Sequence, residues 1–414
     1  MFAPLIRLRR LPALSLLFVA TTLGLTCAPS DAARAETTAA WASSPAEPPA
    51  AVAATDKALP ALQVIRQWGP TPERPFRLGM QRLNPALDKE KQLAAFDPAG
   101  YVINSGMLIG SFADQWIGGM ALATRRYQWW VEAKASLTAP PGSFGSSVVL
   151  GTRDGHVMRI DALSGKVLWT ANLDYFTERP FLLSGTTLYA VTAAQGLYAL
   201  DFQTGKTLWI FDGGFPEGLT IRGGARPVVY ENKVIFGTAA GELIAVAADS
   251  GKLAWRYNPA YNTARFHDVV GDMVLRGGRL FISRYDGIVA AIDLAGSVRK
   301  VLWQETLPGV TTSVFRGDRY YIGCLNGDVF ALDPDNLRKV WRKVTGIPVT
   351  TLTAGETSLF IGGTAGRITA LQASTGNVLW ADQLGSSIAT PPLVEENVLY
   401  YSTGMKNLYA YKMK

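Results

Sequence analysis

The chain has 414 residues, with 40 Lys and Arg against 33 Asp and Glu, and 10% of its residues are aromatic. Low charge with many aromatic side chains excludes a disordered chain, and two Cys with two His exclude a zinc-cluster protein or a disulfide-rich scaffold. The formal net charge of +7 would suit an acidic partner such as nucleic acid. Residues 1–35, however, contain four Arg and one Asp and so supply three of those charges. We therefore predict no nucleic-acid partner.

The first 35 residues have the pattern of a secretory signal. Met1–Arg10 carries three Arg and no acid, Leu11–Leu25 is an uncharged apolar run, and residues 33–35 form a small-x-small cleavage box. An uncleaved membrane anchor is the alternative, because Leu11–Ser30 contains no charge. The signal interpretation predicts export to the periplasm.

Cys27 lies at the end of the apolar run, where a bacterial lipoprotein would be cleaved and acylated. The three residues before it, Gly24, Leu25 and Thr26, match poorly to a lipobox of Leu, a small residue and then Gly or Ala. Two outcomes stay open: cleavage after Ala35, or lipidation of Cys27 with attachment to a membrane.

Residues 36–62 are rich in Ala, Pro, Ser and Thr and contain few large apolar side chains. Such a segment cannot bury enough surface to offset the loss of conformational entropy on ordering. We predict a tether at 36–62, followed by one folded domain at 63–414.

From residue 63 onward the chain repeats a pattern of short strands. Each copy has a turn ending in Gly, an alternating strand, a polar turn ending in Gly, and a strand closed by Trp. Clear copies span 151–169, 192–209, 237–255 and 362–380, and degenerate copies span 284–303 and 323–341. A period of about 40–50 residues is typical of β-propeller blades, each a four-stranded antiparallel sheet.

The two ends of the repeat region complement each other. Gln63–Trp68 predicts a lone outer strand, and Asn397–Tyr411 predicts two inner strands without a Trp. Their pairing would complete one blade and hide both strand edges. We therefore predict an all-β, eight-bladed propeller of four-stranded antiparallel blades, closed by pairing the N-terminal strand with the C-terminal blade.

One Trp per period marks each blade, and this regular spacing favours packing between blades over cofactor binding. The predicted blade-docking residues are Trp68, Trp130 (or its neighbour Trp129), Trp169, Trp209, Trp255, Trp303, Trp341 and Trp380. The dipeptides Asp154-Gly155, Asp286-Gly287 and Asn326-Gly327 predict two-residue type I′ hairpins.

The phrase A-x-D-x-x-T/S-G-K-x-x-W, found at Ala199–Trp209 and approximately at Ile160–Trp169, resembles the repeat of PQQ-like (quinoprotein) propellers. The resemblance implies one of two functions. One is that of the quinone-dependent alcohol and sugar dehydrogenases, and the other is that of the outer-membrane assembly factors of the BamB family, which are noncatalytic scaffolds.

The dehydrogenase alternative implies a quinone above a Trp, a bound metal, a catalytic Asp and usually two adjacent cysteines. Cys27 and Cys324 are not adjacent, and His156 and His267 lie in separate repeats. The candidate acids share one place in their repeats, where Asp typically caps a turn: Asp161, Asp201, Asp293 and Asp333. We predict no enzyme activity, no cofactor and no metal.

The BamB resemblance also extends to two loops. Residues 219–223 (LTIRG) look like the family's L-x-L-R-G loop, and residues 265–269 (RFHDV) are similar to its R-x-x-D-V stretch. In that family these loops dock the third POTRA domain of the barrel insertase BamA. The matching positions, and hence the implied partner-binding residues, are Leu219, Ile221, Arg222 and Asp268. The family has a second Asp where this chain has Val270.

A structural interpretation of the same residues stays open, in which Arg222 and Asp268 form an internal ion pair between blades. The docking interpretation predicts a noncatalytic scaffold of the Bam complex at the periplasmic face of the outer membrane. Its partners would be BamA, other Bam subunits and unfolded β-barrel precursors. The alternatives are a PQQ-dependent periplasmic dehydrogenase and a periplasmic propeller with another partner.

Overall fold

Short β-strands, with no helix among them, form the regular structure of the residues that the computed structural model describes, 77–82 and 100–412. The description omits residues 114, 125, 217–219, 222–223, 263, 384–386, 389, 396–397 and 404–406. Because none of the described segments is helical, none of them offers an apolar helix long enough to cross a membrane. The predicted signal, Cys27, the tether and Trp68 all lie outside the described residues.

The strands form eight four-stranded antiparallel sheets, which are the blades of an eight-bladed propeller. Seven blades each use four consecutive strands. The first three are β2–β5 (Tyr101–Asn104, Met107–Ala113, Trp116–Ala121, Arg126–Glu132), β6–β9 (Gly142–Phe144, Ser147–Gly151, His156–Asp161, Val167–Asn172) and β10–β13 (Leu182–Ser184, Thr187–Val191, Leu197–Asp201, Thr207–Phe211). The next two are β14–β17 (Val228–Tyr230, Lys233–Gly237, Leu243–Ala247, Leu253–Tyr257) and β18–β21 (Val269–Arg276, Arg279–Arg284, Ile288–Asp293, Lys300–Thr306). The last two are β22–β25 (Val310–Arg316, Arg319–Cys324, Asp328–Leu332, Lys339–Val344) and β26–β29 (Val349–Ala354, Ser358–Gly363, Arg367–Gln372, Val378–Gln383).

The eighth blade joins the two ends of the chain and confirms the predicted closure. Its strands are β30–β32 (Leu393–Glu395, Val398–Ser402, Asn407–Lys412) and β1 (Arg77–Arg82), in the order β30-β31-β32-β1. Arg82 pairs with Asn407 and Met80 pairs with Tyr409.

The closing strand is not the predicted segment Gln63–Trp68, which lies outside the described residues. Its sequence, RLGMQR, contains no Trp, and so Trp spacing could not locate it. On the neighbouring strand β32, Tyr411 lies 5.2 Å from Trp380 of the preceding blade, measured between ring centroids. A tyrosine therefore supplies aromatic volume where this blade meets the preceding one.

The hydrophobic core lies between neighbouring blades. In one cluster, Tyr189 and Leu197 of the β10–β13 blade pack with Val234, Phe236 and Ile244 of the β14–β17 blade. The inner strands are buried on both faces, which explains runs such as SVVLG in β7 that have no exposed position.

Four tryptophans of the outer strands connect their blade to the next through the indole N–H. The Nε1 atoms of Trp129, Trp169, Trp209 and Trp341 donate to backbone oxygens of the following blade, at 2.9–3.0 Å. The acceptors are Ala162, Phe202, Ala248 and Ala373, which lie in the turns between the third and fourth strands.

The glycine of each of these turns lies directly against the indole ring. A Cβ at Gly205, whose φ is +74°, would lie 2.6 Å from Trp169, and Gly165 and Gly251 are equally close to Trp129 and Trp209. The T/S-G part of the repeat therefore serves both the left-handed turn and the close approach of the ring.

Trp129, the alternative to Trp130, holds the blade-docking position. Trp129 pairs with Gly119 at a bulge, as Trp169 pairs with Arg159. The Trp130 ring lies 4.4 Å from that of Tyr127 instead. Because successive side chains of a strand point to opposite faces, only one of two adjacent tryptophans can reach the next blade.

The glycine hairpins differ from the predicted type I′ turns. Gly155, Gly287 and Gly327 have φ of +87° to +99°, but the residue before each is not in the left-handed region. The Gly155 N–H donates to the Thr152 carbonyl at 3.1 Å, and the Thr152 N–H donates to the His156 carbonyl at 2.9 Å. The hairpin loop therefore has three residues, 153–155, and not two. The preceding Asp or Asn caps the turn with its side chain, as when Asp286 Oδ1 accepts from the Ile288 N–H at 3.3 Å.

Candidate partner-binding site

The two loops singled out by the sequence lie on the same face of the propeller. They connect β13 to β14 (212–227) and β17 to β18 (258–268), each running from the outer strand of one blade to the inner strand of the next. Because the four strands of a blade alternate in direction, these connections share a face with the hairpins between second and third strands, such as 192–196. We call this the loop face.

Asp268 joins the two loops. Its side chain is buried, and its Oδ1 accepts a hydrogen bond from the Ile221 N–H at 3.3 Å. Next to it, the Ala225 N–H donates to the Val269 carbonyl at 3.2 Å. Ile221 is half-buried and packs against a core cluster that includes Val270. The structure thus brings Ile221 and Asp268 together, whereas Leu219 and Arg222 lie outside the described residues.

The Asp268 carboxylate is in an unfavourable environment for a charge. Burial raises its pKa, and the Ile221 N–H and the charge of Arg179 oppose that effect only in part. Its second oxygen, Oδ2, is buried and accepts no hydrogen bond from a described residue. A buried carboxylate that is only partly satisfied is one of the more costly groups in a folded protein.

Arg179 is a buried cation that acts on Asp268, and sequence reasoning missed it. Its side chain is buried, and its Nη1 donates to the Gly237 carbonyl of the next blade. Burial lowers the pKa of Arg179 to about 10, although the negative charges of Asp268 and Glu178 act to raise it. The available signal was a charged pair, Glu178-Arg179, inside the otherwise apolar stretch YFTERPFLL.

Gly224 shows why the first loop needs a glycine after the L-x-L-R-G stretch. Its φ is +135°, and a Cβ there would lie 2.8 Å from Nε of Arg179. The loop backbone can therefore lie directly against the buried guanidinium only because this residue has no side chain.

A small pocket, open to solvent, lies between the loops. Its lining includes Arg179, Gln195, Pro216, Ile221 and Asp268. Gln195 holds both sides of it, because its Oε1 accepts from the Ala239 N–H and its Nε2 donates to the Gly214 carbonyl, each at 3.2 Å.

A second buried ionic cluster lies beside this pocket on the loop face. Arg284, of which 1% is exposed, donates through Nε and Nη2 to Asp286, whose side chain has no exposed surface. Asn262 and His267 also contact the Asp286 Oδ2 atom, at 2.8 and 3.0 Å. Although burial opposes ionisation, the hydrogen bonds from Arg284, His267 and Asn262 lower the pKa of Asp286.

The position of the family's second Asp is part of the core here. Val270 is buried, and an ionised side chain at that position would have to leave water. Asp272 lies two residues further on, in the bulge between Val270 and Val274. Burial raises the pKa of Asp272, with Arg226 opposing the shift.

The aspartates considered as catalytic candidates cap turns, as expected. Asp161 Oδ1 accepts from the Ser164 N–H and hydroxyl, and Asp201 does the same with Thr204. Asp293 and Asp333 accept from backbone N–H groups two residues ahead of them. These four carboxylates lie in separate blades.

The described residues contain no group of three or more His, Cys, Asp and Glu that could hold a metal ion. The Cys324 thiol is buried in β23, and burial raises its pKa to about 12. Cys324 is therefore a core residue of low reactivity.

Comparison with known proteins identifies the family. The model of the family described as outer membrane protein assembly factor BamB matches residues 113–343 and 325–414. The chain belongs to the BamB family.

A relative named outer membrane protein assembly factor BamB, from Bordetella pertussis, is 26% identical over 305 residues. This match covers 70% of the chain and 77% of that BamB. The solved structure of BamB from Moraxella catarrhalis superposes with a TM-score of 0.67 at 20% identity, over 77% of this chain and 97% of that one.

The same fold is found in enzymes. The quinohemoprotein alcohol dehydrogenase from Comamonas testosteroni has a TM-score of 0.61 at 12% identity, over 80% of this chain and 79% of that one. Structural likeness at such low identity shows the propeller fold alone. The matched family model distinguishes this chain from those enzymes.

Proposed function

We propose that this BamB-family chain is a noncatalytic scaffold subunit of the Bam complex that binds the POTRA domains of BamA. The docking site comprises Leu219, Ile221, Arg222 and Asp268. The observation that carries the proposal is the hydrogen bond from the Ile221 N–H to Asp268 Oδ1, which links the two loops that match the family's docking loops.

The buried position of Asp268 supports a positioning role for it. With 5% of its surface exposed, Asp268 has little area to offer to a partner, and its bond to Ile221 holds the first loop in place. Direct contact with the partner then falls to Ile221 and to the neighbouring Leu219 and Arg222. Arg and large apolar side chains are typical anchors of protein interfaces.

The proposed location follows from the N-terminal sequence. Residues 1–35 direct export if the chain is cleaved after Ala35. If Cys27 is lipidated instead, the signal ends before it, and the residues from Cys27 to 62 connect the propeller to the periplasmic face of the outer membrane. Mass spectrometry of the mature N-terminus tests this, because acylated Cys27 and a free Glu36 differ in mass and in sequence. A mature chain starting at Glu36 would contradict the lipid anchor but not the scaffold role.

Affinity capture from detergent-solubilised envelopes tests the partner. We expect BamA to elute with the wild-type chain and to be strongly reduced with Arg222→Glu. Arg338→Glu is the matched control, because Arg338 is an exposed arginine in the turn between β24 and β25, on the opposite face.

Absence of BamA from the wild-type eluate would contradict the assembly role. Equal capture by the wild type and Arg222→Glu would leave the assembly role in place and show that the docking site lies elsewhere. Reduced capture by Arg338→Glu as well would indicate a general effect of charge.

A further inference from the structure

Three aromatic side chains are exposed on the loop face. Tyr175 is 43% exposed, Phe215 is 66% exposed and Tyr261 is 86% exposed. Among the residues that the structure describes, these three are the aromatic residues with exposed side chains. Each lies on a different connection between blades. Aromatic residues elsewhere in the described chain are buried or half-buried, and so this concentration on one face calls for a physical explanation.

Tyr175 and Phe215 form a pair across two connections. Their rings meet edge to face with centroids 5.2 Å apart. The Tyr198 hydroxyl, on the adjoining blade strand, donates to Asp174 Oδ2 at 2.6 Å and accepts from the Asp174 N–H at 3.2 Å. The backbone that presents Tyr175 is therefore held in place by the blade.

The backbone beside Phe215 is held in a similar way. The Gly214 N–H donates to Asp212 Oδ1 at 2.9 Å, and the Gly214 carbonyl accepts from Gln195 at 3.2 Å. Pro216, which follows Phe215, lines the same pocket as Ile221 and Asp268. The aromatic pair is thus continuous with the proposed docking site.

The residues on either side of Tyr261 are hydrogen-bonded to the buried ionic cluster of Arg284 and Asp286. The Ala260 carbonyl accepts from Arg284 Nη1 at 2.6 Å, and the Asn262 side chain donates to Asp286 Oδ2 at 2.8 Å. The most exposed aromatic ring of the three therefore stands on a backbone tied to the fully buried Arg284.

A rigidly presented aromatic ring suits an interface. Tyr and Phe supply a large contact area and lose little side-chain entropy on binding, and a fixed loop avoids the cost of ordering the backbone. An exposed ring buries little area in the free protein and therefore contributes little to its stability. Hot-spot residues of protein interfaces are enriched in aromatic side chains for the same reasons.

We infer that Tyr175, Phe215 and Tyr261 form an aromatic rim that contacts the same folded partner domain as Ile221, and so extends the docking site over consecutive blades. This inference rests on the proposed function, because the occupant it names is the POTRA region of BamA. The continuity of Phe215 and Pro216 with the pocket favours this occupant over an unfolded chain bound elsewhere.

The test measures the dissociation constant between the full mature chain and the purified POTRA region of BamA from the same bacterium. We expect Phe215→Ser and Tyr261→Ser each to weaken binding at least tenfold. Val298→Ser is the matched control, because Val298 is 73% exposed in the β20–β21 connection on the opposite face, and we expect its dissociation constant to stay within twofold of wild type. Unchanged circular dichroism and melting temperature establish that each variant is folded.

The outcomes separate the rim from the docking site. If Phe215→Ser and Tyr261→Ser bind like wild type while Ile221→Asp does not, the rim is wrong and the proposed function stands. If the rim variants lose binding to a urea-unfolded barrel precursor but still bind the POTRA region like wild type, the rim binds unfolded precursors and the inferred POTRA contact is wrong. If the wild type does not bind the POTRA region, the proposed function fails and the rim inference fails with it.

Discussion

Asp268 and Asp286 are both buried carboxylates on the loop face, but their surroundings have opposite effects. Asp286 receives hydrogen bonds from Arg284, Asn262 and His267, and these lower its pKa despite burial. The Asp268 side chain accepts one hydrogen bond from the described residues, donated by the Ile221 N–H, and burial raises its pKa. The polar groups around Asp286 satisfy its carboxylate and fix the Tyr261 segment. Asp268 holds two loops together, but its carboxylate is only partly paired among the described residues.

The difference in hydrogen bonding indicates different roles for Asp286 and Asp268. A fully hydrogen-bonded buried pair is costly to break but has no spare bonding capacity. The Asp268 carboxylate has one oxygen to which no described residue donates, at the position where the two proposed docking loops meet. We therefore regard Asp286 as structural and Asp268 as the residue that would couple loop position to the proposed partner binding.

The largest expected effect comes from breaking the satisfied cluster. Arg284→Met leaves the buried Asp286 without its main partner, which should lower the free energy of unfolding by about 3–5 kcal/mol. Urea denaturation followed by circular dichroism measures this change. Arg319→Met is the control, because the Arg319–Asp318 pair is at the surface, with 32% and 78% of the side chains exposed, and its loss should cost no more than about 1 kcal/mol. Equal losses for the two variants would contradict the assignment of Asp286 as structural.

An intermediate effect is expected at the coupling residue. Asp268→Ala removes the acceptor of the Ile221 N–H and should lower the free energy of unfolding by about 1–3 kcal/mol. Asp268→Asn keeps an oxygen for that hydrogen bond and should cost less. The same urea titration compares the two. Equal losses for the two variants would contradict the role of the bond to Ile221, because both variants remove the charge and only Asn keeps an acceptor.

The smallest effect is the pH dependence, and it should differ in sign between the two carboxylates. The raised pKa of Asp268 means that its contribution is present below the ordinary Asp pKa of about 3.9 and is lost as pH rises through the folded value. The wild type should therefore lose stability relative to Asp268→Asn as the pH rises above about 3.9.

Asp286 should behave in the opposite way, because its pKa is lowered. Its contribution is present above about pH 3.9 and is lost as pH falls through the folded value. The wild type should lose stability relative to Asp286→Asn on acidification below that pH. Free energies of unfolding at matched pH values measure both differences, and slopes of the same sign would contradict the comparison.

Much of the fold could be predicted because the repeat is local. Each blade is made from strands that follow one another, and phrases such as Ala199–Trp209 contain both the turn glycine and the Trp that docks on the next blade. The errors fall where the local pattern is ambiguous or missing. Trp129 and Trp130 are adjacent and differ only in which face they point to, and the closing strand Arg77–Arg82 carries no Trp.

The proposed docking site was only partly predictable for a related reason. The match to the family loops selected Ile221 and Asp268, which the structure places in contact. It did not select Arg179, Tyr175 or Phe215, because each of them is defined by a contact with another connection between blades. No sequence spacing encodes those contacts.

The sequence by itself determined the propeller, its blade number and its family, since hairpins and repeated Trp-Gly contacts depend on residues within one or two periods. Only the tertiary structure decided which loops meet, which carboxylate is satisfied and where aromatic rings stay exposed. The physical reason is distance along the chain. Asp268 acts with Ile221 and Arg179, which come from preceding connections, and these side chains become neighbours only after the ring of blades has formed.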